Sequence, residues 1–287
     1  MKIEECRLFY AEEIRYAANV QTPGLIEAYA RVPRERFLGP GPWLIGSAET
    51  RAMSAAGAIQ MQYIAVDDPC QLYHNVVVVL DRAADINNGQ PGSLARWIDA
   101  MELKPGERAF HLGCGVGYYT AIMAELVGSE GSVVGAELNN SLAERARENL
   151  SSYRNVAVHA GDGAQFDPGE CDAMLINAGM THPLLGWLER LRDGGRLIIP
   201  LTMATSATLG AGVMARITRT GTTYSVQVVT PVAIYSCATA RDSNLEPVLR
   251  KAATTGSLMK MKCVRFDSHE PGETCVIHAD GLCVSSV

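Results

Sequence analysis

Residues 108–119 read RAFHLGCGVGYY. A short apolar run ends in three glycines at alternate positions, Gly113, Gly115 and Gly117, and a helix-forming stretch, YYTAIMAELVG (118–128), follows at once. Strand, glycine turn and helix in that order open a βαβ unit. Glycine reaches positive φ and leaves no Cβ between a ligand and the backbone. The alternation continues downstream. SVVGAEL (132–138) reads as a strand, SLAERARENLSSY (141–153) as a helix with a Ser141 cap and Glu144 three residues on, and NVAVHAG (155–161) as a strand. CDAMLINAG (171–179) is a strand, LLGWLERLRDGG (184–195) a helix and RLIIPLT (196–202) a strand. Strands alternating with helices predict right-handed crossovers and a parallel sheet.

Outward from this core the texture changes. Residues 3–32 carry helical spacing broken near Thr22-Pro23-Gly24, which predicts two helices. RVPRERFLGPGPW (31–43) reads as an irregular surface segment, and residues 44–72 give no clear period. YHNVVVVLDR (73–82) contains a strand, ADINNGQPGS (84–93) a loop, and SLARWIDAMEL (93–103) a helix with Ser93 as cap. After residue 210 a hairpin turns at Thr220-Gly221, a helix spans 244–253, and two further strands close the chain, the MKMK stretch (259–262) opening the first of them.

The 287 residues are ordinary in composition, 47% apolar and 20% charged, which excludes wholesale disorder. A net charge of −6 argues against a general affinity for nucleic acid, and no run is apolar enough to predict a membrane span. Eight widely spaced cysteines contain no C-x-x-C pair, and from the polar start no leader peptide is expected. Eight free, mostly buried thiols in a reducing cytoplasm are expected. His269, His278 and Asp280 match no standard metal spacing, so no metal site is expected.

The glycine turn is the natural ligand site of such a sheet. A dinucleotide fingerprint would need glycine where Tyr118 stands, and no G-K-S or G-K-T follows, so neither a nicotinamide nor a Walker site fits well. Glu137, at a strand end twenty residues after Gly117, suits the two hydroxyls of a ribose, and Gly161-Asp162-Gly163 follows the next strand, where an acid can read an adenine amino group. Ribose and adenine without a pyrophosphate cradle describe S-adenosylmethionine.

HLGCGVGYYTAIMAELVG, VVGAEL, AGDGAQFDPGECDAMLINAG and LRDGGRLIIPL, in that order, resemble the successive motifs of class I methyltransferases, and with VPRERF and Leu103-Lys104-Pro105-Gly106 they resemble the protein-L-isoaspartate O-methyltransferase family over roughly residues 25–202. The resemblance implies an α/β, Rossmann-like doubly wound fold: a mostly parallel seven-stranded sheet with an antiparallel C-terminal hairpin. It also implies an N-terminal helical cap with the substrate loop (1–92), a cofactor domain (93–236) and a C-terminal α+β extension (237–287). By position, His111, Gly113, Cys114, Gly115, Gly117 and Tyr118 would hold the methionine end of S-adenosylmethionine, Glu137 with Leu138 the ribose, and Asp162 and Gly163 the adenine. Asn177 would face the methyl group, with S-adenosylhomocysteine as product. Asn88, Gln90 and His182 are the acceptor-side candidates.

Two positions depart from the family pattern. His111 stands where an acid is usual, which would make cofactor binding weaker and pH-sensitive. Asn87, Asn88 and Gly89 stand where the family carries a Thr-Ile-Ser sequence before Gln-Pro. The expected activity is O-methylation of a carboxyl group on a peptide, a protein or a small molecule, with no nucleic-acid or membrane partner and the oligomeric state left open. The alternatives are methylation of a hydroxyl or nitrogen with His182 as base, and a non-catalytic module that binds the cofactor.

Overall fold

The computed structural model describes residues 2–47 and 62–287. The sequence's parallel core is present as β5 (Arg108–Leu112), β6 (Ser132–Glu137), β7 (Val156–Ala160), β8 (Cys171–Ile176) and β9 (Leu191–Ala204). Their spatial order is β9-β8-β5-β6-β7, all parallel. Successive strands run one way from β5 and then jump back to its other side at β8. This reversal opens a crevice beyond the carboxyl ends of β5 and β8.

Beyond β9 the sheet becomes antiparallel. β10 (Leu209–Thr220) and β11 (Thr223–Tyr235) form the expected hairpin. The sheet then continues past the seven strands expected, through β12 (Cys263–Arg265), β14 (Leu282–Ser285) and β13 (Cys275–Ala279), to ten strands in all. The final stretch is therefore a hairpin rather than a single strand. The MKMK stretch is not a strand either: Ser257–Lys260 form a 3-10 turn.

Helices cover both faces. α1 (Ile3–Ala18), α2 (Leu25–Arg31), α4 (Pro91–Met101), α5 (Tyr118–Val127) and α6 (Asn140–Asn149) build one apolar core against the sheet. α7 (Leu185–Arg190) and α8 (Glu246–Thr254) build the other. α7 stops at Arg190, and β9 starts five residues earlier than the sequence suggests: Leu191 already pairs with Cys171, and an irregularity with Gly194 at φ +76° separates it from the regular pairing that begins at Arg196. The cap of α6 is Asn139, whose side chain accepts from the backbone N–H groups of Ser141 and Leu142; Ser141 lies inside the helix. Likewise α4 begins at Pro91 after Gln90, and Ser93 lies in its first turn.

The segment at residues 31–43 is not a surface segment. Arg34–Leu38 form a short helix, α3, and Arg34, Phe37 and Leu38 are buried. The Arg34 guanidinium donates to the carbonyls of Leu72, His74 and Val76 and lies 5.6 Å from the ring centre of Tyr10 and 6.0 Å from that of Tyr118. The two terminal nitrogens thus find acceptors, which offsets the cost of burying the charge, while Nε is buried without a partner. Around it Tyr10 packs edge to face with Tyr73, Tyr29 edge to face with Tyr118, and Tyr10 and Tyr29 meet at a tilt.

The uncertain stretch 44–72 contributes β1 (Trp43–Gly46) and β2 (Ile64–Val66), which join β3 (Val77–Asp81) and β4 (Ile86–Asn87) in a separate sheet of order β2-β1-β3-β4; its residues 48–61 lie outside the described residues. Cys6 on α1 is bridged to Cys70, just before Leu72, which corrects the expectation of eight free thiols. Sequence spacing could not reveal the pair, since 64 residues separate its members and only the packing of α1 brings them to a Cα separation of 5.6 Å. No helix among the described residues is long and apolar enough to cross a membrane.

Candidate active site

The glycine turn sits at the crevice. Gly113, Gly115 and Gly117 all have positive φ, at 73°, 56° and 90°. They serve different ends. A Cβ on Gly117 would lie 2.7 Å from Leu150, so this glycine is needed for packing at the start of α5. A Cβ on Gly115 would meet nothing within 4 Å and would project into open space. That is the position from which a ligand can reach the backbone.

Glu137 ends β6 beside the turn. One carboxylate oxygen accepts the Gly115 N–H at 2.8 Å and the other accepts the Asn139 N–H at 3.0 Å. Next to it Leu138 is 51% exposed, an apolar side chain with an open face at the expected ribose site. Asp162 accepts from the Ala164 N–H at 2.9 Å and from the Thr239 hydroxyl at 2.9 Å. A Cβ on Gly163 would come within 2.9 Å of Ala136, so glycine lets this turn close over the end of β6. Asn177 follows β8. Its N–H donates to the Leu112 carbonyl and its side-chain amide to the Gly113 carbonyl at 3.2 Å, joining the two strand ends that flank the crevice.

Three residues at or beside the turn are set by their burial. His111 is fully buried under α5. Its Nδ1 lies 2.9 Å from the Thr120 hydroxyl, and its Nε2 has no hydrogen-bond partner. Burial pushes its pKa down to about 4, so the ring is neutral at every pH from 5.5 to 8 and the expected pH sensitivity from this side chain does not arise. Cys114 is buried, and desolvation raises its thiol pKa; the proximity of a helix start does not activate it. Tyr118 belongs to the aromatic cluster around Arg34, its hydroxyl 3.4 Å from that of Tyr10.

A cavity of about 530 Å³ opens beside the turn. Gly113, Cys114, Gly115, Tyr118, Tyr119 and Asn177 form one wall, the 87–93 loop with Arg96 another, and the end of β11 from Thr230 to Tyr235 a third. Asn88 and Gln90 therefore meet the turn at one chamber. His182 does not line it; its Nδ1 lies 3.0 Å from the Thr181 hydroxyl, and burial lowers its pKa against the opposing pull of Asp242. The β11 wall and Arg96 carry no local motif, and only the sheet's folding brings them to the turn.

The loop's amides largely hold the loop itself. Asn87 donates to the Tyr235 hydroxyl and accepts from the Gly89 N–H; Asn88 Oδ1 accepts from Val78 N–H at 2.9 Å. Gly89 has φ +76°, and a Cβ there would lie 2.9 Å from Leu94. The loop bends where a side chain would be strained. Buried Asn88 Nδ2 has no hydrogen-bond partner, and Ser93 donates to Gln90 at 3.3 Å.

The family model for protein-L-isoaspartate(D-aspartate) O-methyltransferase matches residues 46–241, well over half the chain. The chain belongs to the protein-L-isoaspartate O-methyltransferase family. An Aeropyrum pernix protein-L-isoaspartate O-methyltransferase is 32% identical over 206 residues, covering 69% of this chain and 67% of the relative. The Methanothrix thermoacetophila enzyme is 36% identical over 191 residues, covering 64% of this chain and 76% of its own. In three dimensions a protein-L-isoaspartate O-methyltransferase structure superposes with a TM-score of 0.64 at 19% identity, over 88% of this chain and 69% of that one. A Plasmodium falciparum β-aspartate methyltransferase in complex with S-adenosyl-L-homocysteine gives 0.57 at 18% identity, over 80% of this chain and 97% of that one. These two show the shared α/β methyltransferase fold. As a member of the family, the protein is an S-adenosylmethionine-dependent methyltransferase.

Proposed function

We propose that the protein transfers the methyl group of S-adenosylmethionine to a carboxylate of a protein or peptide, with isoaspartyl residues as the first acceptor to test. The observation that carries this is the make-up of the chamber: no Asp, Glu, His or Lys lines it among the described residues, and burial raises the pKa of Cys114, Tyr118 and Tyr119. None of these groups can take a proton at neutral pH. A hydroxyl or ammonium acceptor needs a base, whereas a carboxylate is already ionised. His182, the base of the alternative reading, stands apart from the chamber.

The residues at the turn fit the donor. The open side of Gly115, the Glu137 carboxylate held at the turn and the exposed face of Leu138 offer a close backbone approach, an acceptor for ribose hydroxyls and an apolar cover. Bound there, S-adenosylmethionine supplies an activated methyl on a sulfonium. The protein's part is to hold the acceptor in line with it, and positioning of this kind is worth on the order of 7–11 kcal/mol. The Gln90 side-chain amide presents a donor to an acceptor carboxylate, and Arg96 adds positive charge.

The test is incubation with methyl-labelled donor and matched isoaspartyl, aspartyl and hydroxyl-only peptides. Base-labile label on the isoaspartyl peptide supports the proposal, and base-stable label excludes a carboxyl acceptor. Absence of label together with measurable S-adenosylhomocysteine binding would identify a binding module instead.

A further inference from the structure

The C-terminal hairpin brings together four side chains that take no part in the methyl-transfer site. His269, Cys275, His278 and Cys283 place one donor atom each within 4.8 Å of one another. Spacing alone sets His269 and His278 beside Asp280 and matches no metal motif, but in the fold their neighbours are Cys275 and Cys283. The β13–β14 register sets His278 opposite Cys283, and the preceding loop returns His269 to Cys275. Two thiols and two imidazoles at spacing H-x5-C-x2-H-x4-C thus converge on one point. The cluster lies beyond residue 241, where the match to the family model ends, so it is not part of the family's common core.

We infer that these four residues form a tetrahedral Zn2+ site. Two sulfur and two nitrogen donors are the set that zinc takes in closed, structural sites. A tetrahedral zinc holds its donors roughly 3.3–3.8 Å apart, so the cluster needs to contract by about 1 Å at its widest. His269 Nε2 is already 3.3 Å from Cys275 Sγ, and the two imidazole rings are 4.9 Å apart at 78°.

The surroundings match what a metal-bound imidazole and thiolate require. His269 Nδ1 sits 2.8 Å from the Asp267 carbonyl and 3.3 Å from its carboxylate, which fixes the proton on Nδ1 and turns the Nε2 lone pair toward Cys275. Asp267 is itself held by Arg265. The Gly272 N–H donates to Cys275 Sγ at 3.3 Å, a hydrogen bond that suits a thiolate. His278 Nδ1 is buried without a hydrogen-bond partner. A bound Zn2+ would displace one proton from each thiol to solvent and leave the site neutral overall. Its mechanical effect would be to fasten β13, the edge strand of the ten-stranded sheet, and the 266–274 loop to β14.

The test uses the full-length protein and Zn2+ or Co2+ as the probe. Protein purified without chelator is expected to carry about one zinc per chain, falling below about one tenth in Cys275→Ser/Cys283→Ser and staying near one in the control Cys263→Ser. Should the double variant fail to fold, cobalt decides: metal-stripped wild type titrated with Co2+ is expected to show thiolate charge transfer and strong visible bands saturating at one equivalent. Substoichiometric zinc in the wild type, equal loss in Cys263→Ser, a weak octahedral cobalt spectrum, or a Cys275–Cys283 disulfide seen in the mass of the unreduced protein would each overturn the assignment.

Discussion

The Glu137 carboxylate accepts the Gly115 N–H at 2.8 Å, so the end of β6 and the open corner of the glycine turn are fixed to each other. The same carboxylate is the acceptor proposed for ribose hydroxyls. Glu137→Gln removes the charge from those hydrogen bonds and is expected to weaken S-adenosylhomocysteine binding by roughly 10–100-fold, about 1.4–3 kcal/mol. Calorimetric titration of wild type and variant measures it. An unchanged affinity removes Glu137 from the cofactor site.

Gly115 and Gly117 separate function from packing. Gly115→Ala places a methyl in open space at φ +56°, with a backbone cost of about 1–2 kcal/mol, and is expected to cut cofactor affinity more than stability. Gly117→Ala adds a clash with Leu150 to comparable backbone strain and is expected to lower the melting temperature further. Melting curves with and without S-adenosylhomocysteine distinguish the two, and equal behaviour contradicts the division of roles.

His111 makes a pH prediction of definite sign. Its pKa is about 4 when folded and ordinary, near 6.5, when unfolded. The unfolded chain therefore binds more protons between these values. The stability tied to the neutral ring is fully present above pH 6.5 and is lost as pH falls through 4, by roughly 3 kcal/mol in total. His111→Asn should flatten this part of the profile in urea titrations from pH 7 to 4.5. Cofactor affinity should show no step between pH 5.5 and 8 that the same variant abolishes.

Arg34 ties α3 to the segment that leads into β3. Arg34→Met keeps the length of the stem but leaves the buried Leu72 carbonyl and the half-buried carbonyls of His74 and Val76 without this donor. A loss of roughly 3–5 kcal/mol in unfolding free energy is expected. Denaturant midpoints report it, and a loss below about 1 kcal/mol would mean that water replaces the guanidinium.

The central βαβ run was legible because each of its elements carries a local signal: β-branched strands, the glycine turn and a Gly128 stop to α5. What local signals could not convey was partnership across long separations. Arg34 reads as a surface charge until Tyr10, Tyr118 and the carbonyls before β3 assemble around it. Cys6 and Cys70 look unrelated until α1 docks. The capping pattern points to Ser141, but α6 starts two residues earlier and Asn139 accepts the free N–H groups instead. At the site, Glu137 and Asp162 follow from strand ends, but the β11 wall depends on sheet order. His111, two residues before the first glycine, faces inward, and burial governs its proton in a way that its place in the sequence does not announce.

Tyr235, at the end of β11, bonds through its hydroxyl to both Asn87 and the carbonyl of Asp85. One phenol oxygen thereby bolts the 85–89 strap to the far side of the chamber, across about 150 positions of chain. If the chamber holds the acceptor as proposed, its preorganisation is delegated to the hairpin, and Tyr235→Phe would unfasten the strap while leaving the glycine turn intact.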